Sequence, residues 1–375
     1  MAHAYTPGLK VLAHTTLIKE RRLPLSGEIL VNKGTKVRGE DVVARTELPG
    51  NVQTLNIHGL LGILPDEVEE AMLKKINDPI KKDEIVAQSK GFFGLLKSSV
   101  RSPIDGVVES VSKITGQIIM REPPIPVEVM AYIDGEVVDI IQNEGVKIKT
   151  SGSFIQGIFG IGGETIGELT MAANDPKDVL TEKDIDKAFK EKIIVGGSIV
   201  TYTALEQARK VGVKGIVIGG IEDQDLKQFM GYDIGIAITG SEQVGLTLII
   251  TEGFGKMSMA NRTFQLLKSL AGKRSSINGA TQIRAGVMRP EVIVPMEEVR
   301  DSKKTADIST GSGLGLGMAV RIIREPHFGA IGKVVALPVE LQKIETEALA
   351  RVLQVELEDK QVVALPRANV EIIEE

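Results

Sequence analysis

The chain contains no cysteine. That excludes disulfides, thiolate zinc sites, iron–sulfur clusters and cysteine nucleophiles together. Tryptophan is also absent, and aromatic residues make up 3% of 375. The four histidines, His3, His14, His58 and His327, are scattered without metal-ligand spacing. No metal site is therefore expected, and no Ser-His-Asp triad. Long apolar runs are missing too. The greasiest stretch, VGLTLIITEGFG from Val244, breaks on Thr and Glu well short of the ~18 residues that cross a bilayer. At the N-terminus the basic cluster follows the apolar residues, the reverse of a signal peptide, so a cytoplasmic location away from membranes is expected. A net charge of −5 argues against bulk attraction to nucleic acid. Any chemistry must rest on carboxylates, hydroxyls, arginines and backbone amides.

What is present is Ile, Val, Leu and Ala for cores, and forty glycines against fifteen prolines for turns. At ~100–200 residues per domain, the length predicts two to four domains. From Leu23 to Thr170 short alternating runs are separated by glycine turns, and one pattern recurs: GEILVNKGTKVRGEDVVARTELPGNV, then NDPIKKDEIVAQ with SPIDGVVESVSKITGQIIM, then IDGEVVDIIQNEGVKIKTSG. Alternation at period two predicts strands buried on one face, hence small barrels or sandwiches, either one composite barrel or two. NDPIKKDEIVAQ followed by SPIDGVVESVSKITGQ resembles the barrel-sandwich hybrid fold of biotinyl and lipoyl carrier domains. In those carriers a hairpin presents a lysine flanked by methionine. Here that place holds KGFFGLLKSSVR, without the signature, so the resemblance implies the fold without covalent biotin or lipoate. Phe92, Phe93 and Leu95 at this hairpin either form an apolar patch for a protein partner or fold back to plug a barrel end.

Residues 1–174 are thus an expected β region. Residues 175–191 read as a helical connector, with Val179, Ile185 and Phe189 at helical spacing and Thr181 and Asp184 placed as a capping box. Residues 192–295 alternate short apolar strands with helices, which predicts parallel crossovers and a Rossmann-like α/β domain. In a doubly wound sheet ligands bind beyond the carboxyl ends of the strands. Those ends carry Gly196, Gly197, Ser198, Gly219, Gly220, Thr239, Ser241, Glu242, Thr251 and Glu252. Either the small residues admit a small anionic ligand or they only close turns. Arg284 and Arg289, in SINGATQIRAGVMRP, either clamp an anion across that crevice or face water. G-x-G-x-x-G is absent after the first strand, so no nicotinamide cofactor is indicated. The glycine-rich stretches 156–165 and 311–317 precede strands rather than helices, which fits a hairpin, hinge or linker better than a phosphate loop.

After a polar linker at 296–317, residues 318–375 return to β. VRIIREPHFGAIGKVVAL resembles the KOW motif of SH3-like barrels in NusG-type transcription factors, with PRANVEII as the closing strand. Residues 311–375 carry seven cations and ten anions, and phosphate contacts need clustered Lys and Arg, so a protein partner is favoured over nucleic acid. The expected fold class is multidomain α/β plus all-β: an N-terminal barrel-sandwich-like region, a central Rossmann-like parallel domain and a C-terminal SH3-like barrel. The expected function is non-catalytic binding or assembly, with protein partners or self-assembly and a small anionic ligand whose identity stays open. The alternatives are an enzyme with Glu242 or Glu252 as base, and a transcription- or ribosome-associated factor.

Overall fold

The computed structural model describes residues 9–90, 97–232, 244–281, 288–296, 314–322, 327, 330–343, 349–357 and 360–374. It is strand-rich, with a mixed sheet that includes parallel strands and a half-barrel sheet. Among the described residues no helix is long and apolar enough to cross a membrane.

The N-terminal repeats build two cores rather than one composite barrel. The strand Leu9–Arg22 pairs antiparallel with Gly145–Gln156, from Val11 opposite Ile155 to Arg22 opposite Gly145. Around it an outer unit buries Val37, Val43, Ile133, Val137, Val146 and Ile148. A second unit is nested inside it, between the mutually paired strands Val42–Leu48 and Ile125–Met130, and buries Ile57, Val68, Val86, Val108, Ile118 and Met120. Two short helices, α1 (Ile57–Leu61) and α2 (Val68–Ala71), belong to this nested unit. The repeated sequence element becomes four tight turns, each with a left-handed residue: Gly34, Asp83, Gly116 and Asn143. Gly, Asn and Asp are the residues that tolerate that conformation.

The connector at 175–191 is not a continuous helix. Its capping box forms, since Asp184 Oδ2 accepts from the Thr181 amide at 2.8 Å and hydroxyl at 2.7 Å. The turn it starts stops at Glu182–Asp184, and the Asp186 carboxylate caps a separate turn at Lys187–Phe189. Two competing caps five residues apart, Thr181 and Asp186, leave the first turn no room to propagate.

In the central region the strands Glu164–Met171, Lys192–Val195, Gly215–Ile221 and Thr247–Phe254 pair in parallel in that order. They follow chain order across the sheet, without the reversal of direction that gives a doubly wound sheet its switch point. Antiparallel strands complete the circuit. Thr247–Phe254 pairs with Phe159–Ile161, whose continuation Gly152–Gln156 pairs with Glu291–Pro295. That strand pairs with Arg274–Asn278, which pairs with Glu164–Met171 where the circuit began. Alternate side chains face opposite ways. Ile194, Ile216, Ile218, Leu248 and Ile250 pack under α3 (Tyr202–Val211) and α4 (Asp223–Met230). Ile193, Val195, Val217 and Ile249 pack on the other side with Phe264 and Leu267 of α5 (Asn261–Ser269). The segment 233–242 of this region lies outside the described residues.

The C-terminal region is an antiparallel sheet in the order Val370–Glu374, Ala319–Ile322, Ile331–Ala336, Leu349–Leu357, Val362–Pro366. Its last strand returns beside its first, and Val320, Ile322, Val334, Leu353 and Val355 fill its core. The start of Leu9–Arg22 adds to it in parallel, with Leu9 opposite Ile373.

Candidate functional site

The strand-end residues do converge. Gly196, Gly197 and Ser198 follow one parallel strand, Gly219 and Gly220 end the next, and Thr251 and Glu252 lie in the third. What lies against the glycines is the protein's own main chain. A Cβ on Gly219 would sit 2.2 Å from the Met257 carbonyl oxygen, one on Gly220 2.2 Å from that of Gly255, and one on Gly197 2.5 Å from that of Asp178. Segments 175–178 and 255–259 therefore cross over the strand ends, tied by the Met259 amide donating to Pro176 O at 3.2 Å. The hydroxyls are used locally as well. Ser198 Oγ donates to Lys177 O at 2.9 Å, and Thr251 Oγ1 donates to Ile218 O at 3.3 Å, both side chains being buried.

Glu252 is 3% exposed and has two partners. Its Oε1 accepts from the Ala260 amide at 2.9 Å, and its Oε2 lies 3.1 Å from Arg321 Nη1 of the C-terminal sheet. The same Nη1 donates to the Thr251 carbonyl at 3.0 Å. Arg289 pairs with Glu371, which is 6% exposed. Arg321 and Glu371 stand directly opposite each other on adjacent strands. The four residues thus form an alternating series, Glu252, Arg321, Glu371, Arg289, where the central region meets the C-terminal sheet, the first three buried and Arg289 half-buried. Burying such charges is costly unless each is paired, and removing one partner leaves the other stranded.

Glu252 and Arg289 come out of the sequence as candidates; Arg321 and Glu371 do not. Each alternates with core residues, Arg321 between Val320 and Ile322, Glu371 between Val370 and Ile372. Period two therefore places both on the outer face of their sheet, which a lone module would leave in water. Only docking buries them. Thr239, Ser241, Glu242 and Arg284, and the hairpin residues Phe92, Phe93 and Leu95, lie outside the described residues. The glycine-rich stretch 156–165 is spent on closing the central circuit, with the Gly160 amide donating to Thr281 Oγ1 at 2.9 Å.

A second polar cluster seats the outer β unit on the central region. Lys19 Nζ lies 2.6 Å from both carboxylate oxygens of Glu291, and Tyr132 Oη donates to Glu291 Oε1 at 3.3 Å. Arg21 grips Glu164 through both terminal nitrogens at 2.6 and 2.7 Å, with its guanidinium over the Tyr132 ring. Burial, followed by the Glu291 charge, pushes the Tyr132 phenol well above its ordinary value. Among the described residues no group of three or more His, Asp or Glu is placed to hold a metal. No protein-family model matches the chain, and no curated protein matches it.

Proposed function

We propose that the chain is a non-catalytic binding and assembly protein of the cytoplasm, in which an α/β centre carries small β modules that engage protein partners. One observation carries this reading. Glu252 and Arg289, the described charges best suited to act at the strand ends, are consumed in fastening the C-terminal sheet to the centre. A general base must reach its substrate's proton, and a carboxylate held by an amide and a guanidinium at 3% exposure does not. The outer and nested units resemble barrel-sandwich hybrids in their repeated strand, tight turn and strand. The C-terminal sheet resembles an SH3-like barrel in the return of its last strand beside its first.

A partner-facing surface is available on the nested unit. Leu60, Leu64 and Ile114 are all exposed there. The Ile114 turn lies against the helical corner, since a Cβ on Gly116 would sit 2.5 Å from His58 Cβ and 3.1 Å from Pro65 Cα. The test is turnover. Full-length wild type and Glu252→Gln are incubated with nucleoside triphosphates and acyl esters. The expected result is no product from either, with a C-terminal sheet more open to protease in Glu252→Gln. Product formed by wild type and lost in the variant overturns the reading.

A further inference from the structure

The nested unit keeps one sheet edge open. Its four-stranded sheet runs in the order Val52–Asn56, Gln117–Arg121, Gly106–Val111, Pro79–Ile80, so Val52–Asn56 is paired on one side only. Its ladder with Gln117–Arg121 holds one register, from Asn56 opposite Gln117 to Val52 opposite Arg121, and one step beyond the Glu122 amide donates to Asn51 O at 2.9 Å. Bonded and unbonded positions alternate along an antiparallel strand. Asn51, Gln53 and Leu55 therefore turn their main-chain groups to the neighbouring strand. Val52 and Thr54 turn theirs outward, where no described residue bonds them. The strand faces water, with Val52 51% exposed and Gln53, Thr54 and Asn56 exposed as well.

An exposed edge is a template for another chain, and proteins blunt it with charge, proline, a bulge or shortness. Other edges of the same region are blunted in those ways. Pro79–Ile80 is two residues long and begins with proline. Ile125–Met130, at the edge of the sheet it forms with Val42–Leu48, carries Pro126, Glu128 and a register shift. Val52–Asn56, with the sequence VQTLN, has no charge, no proline and no bulge.

We propose that Val52–Asn56 is a dimerisation edge, at which two copies of the chain pair strand to strand, antiparallel, about a twofold axis at Thr54. The strand matches itself in that register. Thr54 faces Thr54, and the two exchange N–H···O bonds through the groups that point outward. Gln53 faces Leu55 and Val52 faces Asn56, so no charge meets its like, and a threonine pair is a favourable cross-strand neighbour. A twofold contact needs a self-complementary patch, and this edge supplies one. Five residues bury little surface, so the dimer is weak and forms as concentration rises. The inference rests on the assembly reading and deepens it by naming a second copy of the chain as a partner. Turnover tests that reading, whereas self-association tests the edge.

The experiment is sedimentation velocity of the full-length protein over a hundredfold range of concentration. Wild type is expected to shift from monomer to dimer. Thr54→Lys and Thr54→Glu each set like charges face to face and weaken the dimer about fivefold or more. Thr54 is exposed, so melting curves of the dilute variants stay as in wild type, which checks their folding. An equimolar mixture of the two variants sets lysine against glutamate and is expected to restore the dimer. A wild type that stays monomeric overturns the proposal. So do variants that associate as wild type does, and so does a mixture that associates no better than either variant alone.

Discussion

The nested β unit and the C-terminal sheet are both small β modules with cores of their own, and they are fastened to the rest of the chain in opposite ways. The nested unit hangs on a neck of main chain. Its two connecting segments cross so closely at Gly50 that a Cβ there would lie 2.0 Å from the Glu122 carbonyl oxygen, and Asn51 bonds the same residue through amide and carbonyl groups. The C-terminal sheet is instead seated on buried charge, through Arg321 with Glu252 and Glu371 with Arg289. A neck fixes where a module is attached and needs nothing from its surface. A charged seat fixes how it sits, because any other placement strands a charge.

The sharpest way to break the comparison is Arg321→Ala. It leaves Glu252 buried with only the Ala260 amide, and a loss of ~3–5 kcal/mol is expected from urea unfolding, with early proteolysis of the C-terminal sheet. Replacing both partners, Arg321→Met with Glu252→Met, recovers most of that loss, because no charge is then stranded. If the single and double variants unfold alike, the seat is not electrostatic. The matching change at the neck is Gly50→Ala. It forces the crossing segments apart and costs ~1–3 kcal/mol. Hydrogen exchange is expected to quicken in Val52–Asn56 and Gln117–Arg121 while Ala319–Ile322 stays as protected as in wild type. Equal loss of protection in both places would mean that the two modules unfold as one unit.

The same contrast separates what was legible in the sequence from what was not. Period-two alternation gave the strands of the N-terminal repeats, and Gly34 and Gly116 their turns, because these are local properties. The helices α3 and α4 between the apolar strands of 192–295 were legible, as was the strand Glu164–Met171 after the glycine-rich stretch. The sequential strand order was not legible, since short apolar strands look the same in any order of a sheet. Nor was the nesting. It follows from Val42–Leu48 pairing with Ile125–Met130 across more than seventy residues, which no local pattern carries. At the site, Glu252 was found for its place after a strand, and its burial was hidden because the residue that covers it, Arg321, lies 69 positions away.

The seat of the outer unit sharpens the comparison with a smaller effect. Tyr132, Lys19 and Glu291 form it, so Tyr132→Phe removes one hydrogen bond and costs ~1 kcal/mol at neutral pH. Its signature lies in alkali. Because burial raises the folded-state phenol above 10.0, the folded protein holds its proton where the unfolded chain releases one. Stability is therefore unaffected by this group below pH 10 and falls as pH rises beyond it. Wild type should lose stability on going from pH 9 to pH 11 more steeply than Tyr132→Phe. Parallel slopes would place the phenol in water.

The smallest effect belongs to the surface of the nested unit. Ile114 is 90% exposed at the tip of its turn, so Ile114→Ser removes no burial from the isolated chain and should move stability by no more than ~0.5 kcal/mol. A neck-hung module leaves such a residue in water, whereas on the C-terminal sheet the outward-facing Arg321 and Glu371 are covered by docking. Melting curves of wild type and Ile114→Ser across a hundredfold range of concentration separate the cases. Coincident curves that do not move with concentration leave the corner free for a different protein. A wild-type curve that rises with concentration, and a variant curve that does not, would show that a second copy of the chain covers Ile114, and that this module too has a seat.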